Sequence, residues 1–451
     1  MDNQFEVGQK LNLDIKKIGI NGEGIGYFNK MTVFVDYALP SENVDVEIKE
    51  VFDNRLVAKL IKTNQVSEDR ITPFCPIYDK CGGCQLQHLN QSKIKEAKRQ
   101  TLLDALKRYT FRDLPDSIVK ETITSDKEKH YRNKASLPVR FNGKNHVGMY
   151  QERSRKFIQM DACPIQDELV NQSISEALRL LDIYKIKGYD EKYNDGFVQS
   201  IVCRASSLGE VQITFILLKD VAKLTDLALE LVEKNEHIVS VFKVIDKKKD
   251  QLGFFNSSLK KLAGKDTIIE TLNTFEFELK PEAFFQLNHR QAHKFYQEMV
   301  RLAELKKHDV VIDAFAGTAP VSHYVANTCR QVYAIEIDKQ ACESAKISLE
   351  KNHIKNVTVL QSDFKRALSG LKMKKIDVMF FDPPRVGLGK ETIDLILGFK
   401  PRKLIYGSCN PSTLAKDLNL LLKSYKLIEV VPLDMFPQTS LVESISLLEL
   451  K

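Results

Sequence analysis

The sequence contains no tryptophan, and no apolar stretch approaches the roughly 18 uninterrupted residues that a membrane-spanning helix requires. A helical membrane protein is therefore excluded. Internal repeats and low-complexity tracts are also missing, which leaves neither a repeat solenoid nor a disordered chain as a reading. The opening stretch Met1-Asp2-Asn3-Gln4-Phe5-Glu6 is polar and acidic, so it has neither the apolar core of a secretion signal nor the basic face of a transit peptide. It predicts a chain that stays in the cytoplasm, away from membranes. What is present is a multi-domain composition: 451 residues, 43% hydrophobic and 28% charged. At about 100–200 residues per domain, this length implies two to four folding units.

The net charge of +7 is small for so long a chain, but it is unevenly spread. Residues 61–160 hold 20 basic against 11 acidic side chains, whereas residues 1–60 hold 7 against 10. A solvated face explains many lysine-rich stretches, yet a concentrated basic block is also what contact with nucleic-acid phosphates requires.

The hydrophobic pattern divides the chain in three. Residues 10–18, 24–28, 32–37, 44–51 and 55–63 read as five short strands, with Gly22, Gly24 and Gly26 at a corner, and so predict a small barrel. A helix follows over 91–109, with apolar Ile94, Leu102, Leu103, Ala105 and Leu106 and a basic opposite face. Strands and helices then mix up to about residue 280. From Lys307 onward strands alternate regularly with helices, the pattern of a largely parallel sheet that binds ligands at the carboxyl ends of its strands. Seven strands are expected there, with an antiparallel strand at the end. The fold class is thus α/β, divided as 1–63, 64–280 and 281–451.

Eight cysteines are the second compositional signal, and disulfides are a poor account of them in a cytoplasmic chain. Cys75, Cys81 and Cys84 fall within ten residues on a loop carrying Gly82 and Gly83, and Cys163, beside Pro164, is the natural fourth member. Four thiolates suit zinc or a four-iron, four-sulfur cluster, and the spacing, with one distant cysteine, favours the cluster. Cys203, Cys329 and Cys342 stand alone in strands or helices, where packing explains them better. Cys409 differs, since it follows the strand ending at Ser408 and precedes Asn410-Pro411, which reads as a helix start. A thiol beside a helix N-terminus is expected to have a lowered pKa. Three further segments reach the same sheet edge: 313–318, the strand ending at Glu336, and Asp382-Pro383-Pro384-Arg385.

These segments together resemble the RNA (uracil-5-)-methyltransferase family, in its ribosomal-RNA branch with an N-terminal TRAM barrel, which is OB-like, and an iron–sulfur cluster. The match is carried by the four cysteines, by Ala283-Phe284-Phe285-Gln286-Leu287-Asn288, by Phe381 to Arg385, by Ser408 to Ala415, and by Asp434-Met435-Phe436-Pro437-Gln438-Thr439 leading to Glu443. The resemblance implies a central RNA-binding domain with a cluster loop and a C-terminal class I, Rossmann-like methyltransferase domain with a seven-stranded sheet. It further implies S-adenosyl-L-methionine as methyl donor, a 4Fe-4S cluster held by Cys75, Cys81, Cys84 and Cys163, and RNA, most of all 23S ribosomal RNA, as partner of a monomeric enzyme. Carbon 5 of uracil is a poor nucleophile, so such an enzyme first adds a thiolate at carbon 6 and later removes the carbon 5 proton. By resemblance Cys409 is the nucleophile and Glu443 the base. Glu336 is implied for the ribose, Phe315 for the methionine end, Gln286 and Asp382 for the junction with the target base, and Arg132 and Lys134 for RNA phosphate.

The chain departs from the family pattern at three places. Gly317-Thr318-Ala319-Pro320 has alanine where a second glycine is usual, Leu441 replaces a common histidine, and Ser154-Arg155 replaces Ser-His. Alanine at 319 is expected to place a methyl group near the cofactor and to resist positive φ. Two alternatives therefore stand beside the leading one: an RNA-binding homologue with weak or lost methyl transfer, and a tRNA uridine-5 methyltransferase.

Overall fold

The computed structural model describes residues 5–151, 154, 156–246, 259–371 and 375–451, so Arg155 lies outside the described residues. Strands β1 (Lys10–Ile18), β2 (Gly24–Phe28), β3 (Met31–Val35), β4 (Asn43–Phe52) and β5 (Arg55–Gln65) close into a barrel in the order β1-β2-β3-β5-β4. Alternate residues of β1, Leu11, Leu13 and Ile15, point into its core. A Cβ at Gly24 would lie 2.6 Å from the Ala38 carbonyl oxygen, and one at Gly26 would lie 2.2 Å from the Leu13 side chain. Only glycine allows this close approach.

Helix α1 (Gln91–Tyr109) follows, and then β6 (Lys134–Asn142), β7 (Lys144–Tyr150), β8 (Phe157–Met160), α2 (Glu168–Ile183), β9 (Val198–Ala205), β10 (Val211–Leu217), α3 (Leu224–Lys234), β11 (Ile238–Ile245) and β12 (Lys260–Gly264). The seven strands form a sheet of order β12-β11-β10-β9-β6-β7-β8, whose inner strands β9 and β10 are buried along their whole length. A hairpin of β13 (Ile268–Leu272) and β14 (Phe275–Leu279) leads onward.

The C-terminal part comprises α4 (His289–Ala303), β15 (Val310–Ala314), α5 (Pro320–Ala326), β16 (Gln331–Glu336), α6 (Lys339–Lys351), β17 (Val357–Gln361), α7 (Phe364–Leu371), β18 (Val378–Phe381), α8 (Gly389–Phe399), β19 (Lys403–Ser408), α9 (Pro411–Leu421), β20 (Tyr425–Leu433) and β21 (Glu443–Leu450). The sheet order is β17-β16-β15-β18-β19-β21-β20. The chain leaves β15 to one side for β16 and returns to the other for β18, and the crevice at such a reversal is where open α/β sheets bind ligands. The final antiparallel strand is last in sequence but inserts between β19 and β20, pairing antiparallel with both. Its first residue is thereby delivered to the carboxyl end of β19.

Helix α1 packs Leu102, Leu103, Ala105 and Leu106 into the same core as Leu414, Ala415 and Leu418 of α9. Val119 and Ile123 then bridge Val430 and Leu433 of β20. The chain from 91 to 123 is therefore mounted on the C-terminal sheet. Among the described residues no helix is long and apolar enough to cross a membrane.

Candidate active site

Cys409 sits between the end of β19 and the start of α9. Asn410 caps that helix, its side-chain oxygen accepting from Ser412 N at 3.0 Å. Its amide also donates to the Arg385 carbonyl at 3.2 Å, and Thr413 Oγ1 donates to the same carbonyl at 3.1 Å. One helix start thus fixes both the cysteine and the turn that carries Arg385.

Glu443 reaches this point through strand pairing. Ser444 is opposite Ser408, and Leu433 is opposite Glu443, so the Glu443 carboxyl lies beside the end of β19 although 34 positions separate it from Cys409 in the chain. Phe381 pairs with Tyr406, which brings Asp382 to the same edge from the other side. Burial dominates the electrostatics of the three groups. It raises Glu443 to about 8, with Asp382 adding repulsion and Arg385 and Lys98 opposing, and it raises Asp382 to about 6. Cys409 is pushed up to about 11 by burial first and then by the Glu443 and Asp382 charges, with Arg385 opposing. The expected lowering of this thiol by the helix N-terminus is therefore corrected: two carboxylates and a half-buried setting outweigh the helix dipole.

Behind these groups lies the turn after β15. Phe315 adopts φ 60° and stacks on Phe364, with centroids 6.0 Å apart. The Glu336 carboxylate accepts from Gly317 N at 2.9 Å and from Ile337 N and Asp338 N, each at 2.8 Å. A Cβ built on Gly317, at φ 54°, would meet nothing within 4 Å, so this turn faces open space that can receive a ligand. Asp313 accepts from Ser322 N and Oγ behind it. Ala319 does adopt the strained φ of 61°, but it is fully buried with Ala316, Ala334 and Ala345. The expectation of a methyl group directed at the cofactor is thus corrected, because this one packs into the core.

Gln286 is hydrogen-bonded by Tyr296, and its carbonyl accepts from Asn133 Nδ2 at 3.1 Å. Phe284, two residues earlier, is 73% exposed. Arg132 lines the cysteine cavity, while Lys134, lowered to about 7 by burial and then by Arg204, with Glu282 opposing, lies within the central part.

Cys75, Cys81, Cys84 and Cys163 line a single cavity of about 190 Å³, which has no carboxylate or imidazole in its wall. Burial raises Cys81, Cys163 and Cys84, the last to about 12. Among the described residues no three or more His, Cys, Asp or Glu side chains are grouped closely enough to hold a metal ion. Cys203, Cys329 and Cys342 are buried in the cores. The cysteine loop touches the segment before Glu443: Gln85 N and Leu86 N donate to the Gln438 carbonyl at 3.1 and 3.0 Å.

Three contributors escaped the reading of the sequence. Tyr296 carries no local signal, and Asp434 stands in the motif 434–439 without a role of its own. Lys98 does carry a signal, since it falls in the apolar phase Ile94, Lys98, Leu102 of α1, where a lysine is out of place.

Residues 92–451 match the family described as tRNA (Uracil-5-)-methyltransferase, and residues 4–61 match the TRAM domain. An uncharacterized RNA methyltransferase of Listeria monocytogenes is 36% identical over 455 residues, covering 100% of this chain and 99% of the relative. One from Halalkalibacterium halodurans is 36% identical over 98% of this chain and 96% of its own length. Among solved structures, the Pyrococcus abyssi tRNA (uracil-54, C5)-methyltransferase in complex with S-adenosyl-L-homocysteine superposes with a TM-score of 0.76 at 25% identity, covering 97% of this chain and all of that one.

Proposed function

The chain belongs to the tRNA (uracil-5-)-methyltransferase family and is an S-adenosylmethionine-dependent RNA methyltransferase with a TRAM domain; from this premise we propose that it methylates carbon 5 of uridine in ribosomal RNA, with Cys409 as nucleophile and Glu443 as base. The observation that carries the proposal is the meeting of Cys409, Asp382 and Glu443 at one sheet edge. The Cys409 thiolate adds to carbon 6 of the uracil, which makes carbon 5 an enolate carbon. Bound S-adenosylmethionine would supply the electrophilic methyl group, which carbon 5 takes as S-adenosylhomocysteine leaves. Glu443 then takes the carbon 5 proton, the ring double bond re-forms, and Cys409 departs as thiolate. Gln286 and Asp382 orient the uracil edge, while Phe315 and Glu336 border the open face of Gly317 and hold the methionine end and the ribose. Arg132 and Lys134 serve the RNA phosphates from the central part.

The proposed division is a TRAM barrel over 1–63, a central RNA-binding domain with the cluster loop over 64–280, and the methyltransferase domain over 281–451, acting as a cytoplasmic monomer. The four thiols are proposed to hold a 4Fe-4S cluster, supported by their lining one cavity whose wall has no carboxylate or imidazole. The second reading, a transfer-RNA target, draws on the likeness to the Pyrococcus abyssi enzyme. Comparing 5-methyluridine in ribosomal and transfer RNA of cells with and without the gene separates the two. The chemistry is tested by Cys409→Ala on RNA containing 5-fluorouridine. Loss of the covalent protein–RNA complex is expected, and an undiminished complex refutes the role of Cys409.

A further inference from the structure

The segment leading into Glu443 is tied down by a buried ion pair that the reaction scheme above does not use. Lys98 Nζ donates to Asp434 Oδ1 at 2.5 Å and to the Phe436 carbonyl at 3.1 Å, and both side chains of the pair are 1% exposed. Asp434 directly follows Leu433, the residue paired with Glu443 across β20 and β21. Gln291 Nε2 holds the Asp434 carbonyl at 2.9 Å, and Asn288 Nδ2 holds that of Met435 at 3.1 Å. The ammonium of Lys98 is therefore fixed, from α1, on the segment that follows Leu433, the strand partner of Glu443.

We propose that Lys98 is a positioning residue for methyl transfer: it anchors the 434–436 segment and places a sealed positive charge near Glu443, so that this carboxylate is available as proton acceptor. The proposal rests on the reading of Glu443 as the base. The charged and titratable groups that face Glu443 are Asp382 from the end of β18, Cys409 from the end of β19, Arg385 from the turn after β18, and Lys98 from α1, with Asp434 as the partner of Lys98. Asp382 and the Cys409 thiolate repel a second negative charge. Both cations favour ionised Glu443, Arg385 more than Lys98; Arg385 is exposed and screened by salt, whereas Lys98, paired with Asp434, is enclosed and acts beyond the reach of salt. Removing the Lys98 charge makes ionised Glu443 less favourable, so the pH below which the base is lost moves upward.

The experiment is single-turnover methyl transfer to a ribosomal-RNA transcript with saturating S-adenosylmethionine, followed against pH together with the amount of covalent protein–RNA complex. Lys98→Gln removes the charge but keeps a donor to Asp434, and the pair Lys98→Met with Asp434→Asn leaves no unpaired carboxylate. In whichever of these folds, the acid limb is expected to rise by about one unit, which is about tenfold slower transfer on the acid side, with covalent complex accumulating. Lys98→Arg keeps the charge and is expected to keep the wild-type limb. A wild-type limb in a folded charge-free variant overturns the proposal, and so does a Lys98→Arg limb displaced from that of the wild type. Glu443→Gln is the control for the underlying reading: it is expected to trap the covalent complex and lose the limb. If it does neither, the assignment of the base fails, a result distinct from an unmoved limb in the Lys98 variants.

Discussion

At Ala319 two effects of similar size oppose one another. A left-handed alanine costs about 1–2 kcal/mol, while the buried methyl group returns about 0.8 kcal/mol and glycine would lose more backbone entropy on folding. Ala319→Gly is therefore expected to change stability by less than about 1 kcal/mol. Ala319→Val adds β-branching at positive φ and bulk in a closed alanine cluster, and is expected to cost about 2–4 kcal/mol. Denaturant midpoints of the two variants check this; a valine variant as stable as wild type would contradict it. The alanine that departs from the family pattern is thus accommodated by packing, and Leu441, the other departure near Glu443, lies at the surface with its N–H donating to Thr439 Oγ1.

The turn after β18 depends on α9 as much as on its own sequence. Asp417 of α9 accepts from Leu388 N at 2.7 Å, from Gly389 N at 3.3 Å and from the Tyr406 hydroxyl at 2.7 Å. The same helix holds the Arg385 carbonyl from its first turn. Asp417→Ala would leave two backbone donors and a buried phenol without partners, and is expected to cost about 1–3 kcal/mol per buried unsatisfied group and to slow methyl transfer by loosening the Arg385 turn. Stability and turnover measured on the same preparation test this, and a destabilised variant with wild-type turnover would separate the turn from catalysis. The strand–turn–helix pattern at 403–421 was readable from alternation and from Asn410-Pro411, and the five barrel strands were equally plain. Tyr296 bonding Gln286 was not readable, because that contact joins side chains whose periodicity carries no trace of it.

Across the molecule, the barrel meets α1 along a groove of about 850 Å³ lined by Lys17, Arg55, Lys107 and Arg108 and reaching Ser412 on α9, close to Cys409. Glu23, Asp36, Glu50 and Asp104 line the same groove, so its charge is mixed. Lys16 and Lys17, natural candidates for an RNA patch, are each engaged, with Asp14 at 3.1 Å and with Asp104 at 2.8 Å. Arg55 and Arg108 are the better choice, stacked on Phe52 and Tyr109. Reversing both to glutamate is expected to weaken RNA binding and to lower its salt slope by about 2, with S-adenosylmethionine affinity retained. Calorimetry and salt titration test this; an unchanged slope would place the RNA path elsewhere.

Composition, periodicity and motif spacing were enough to define an α/β chain with a small barrel, a four-cysteine set and a cysteine at a strand end, because these features are local or repeat along the chain. The order of the sheet decided the rest. Inserting β21 between β19 and β20 carries Glu443 to Cys409, and mounting α1 on that sheet carries Lys98 to Asp434. It also reversed the expected shift of the Cys409 thiol, since a pKa depends on which charges share a buried volume, and strand pairing gathers Asp382, Arg385 and Glu443 around it from separate elements.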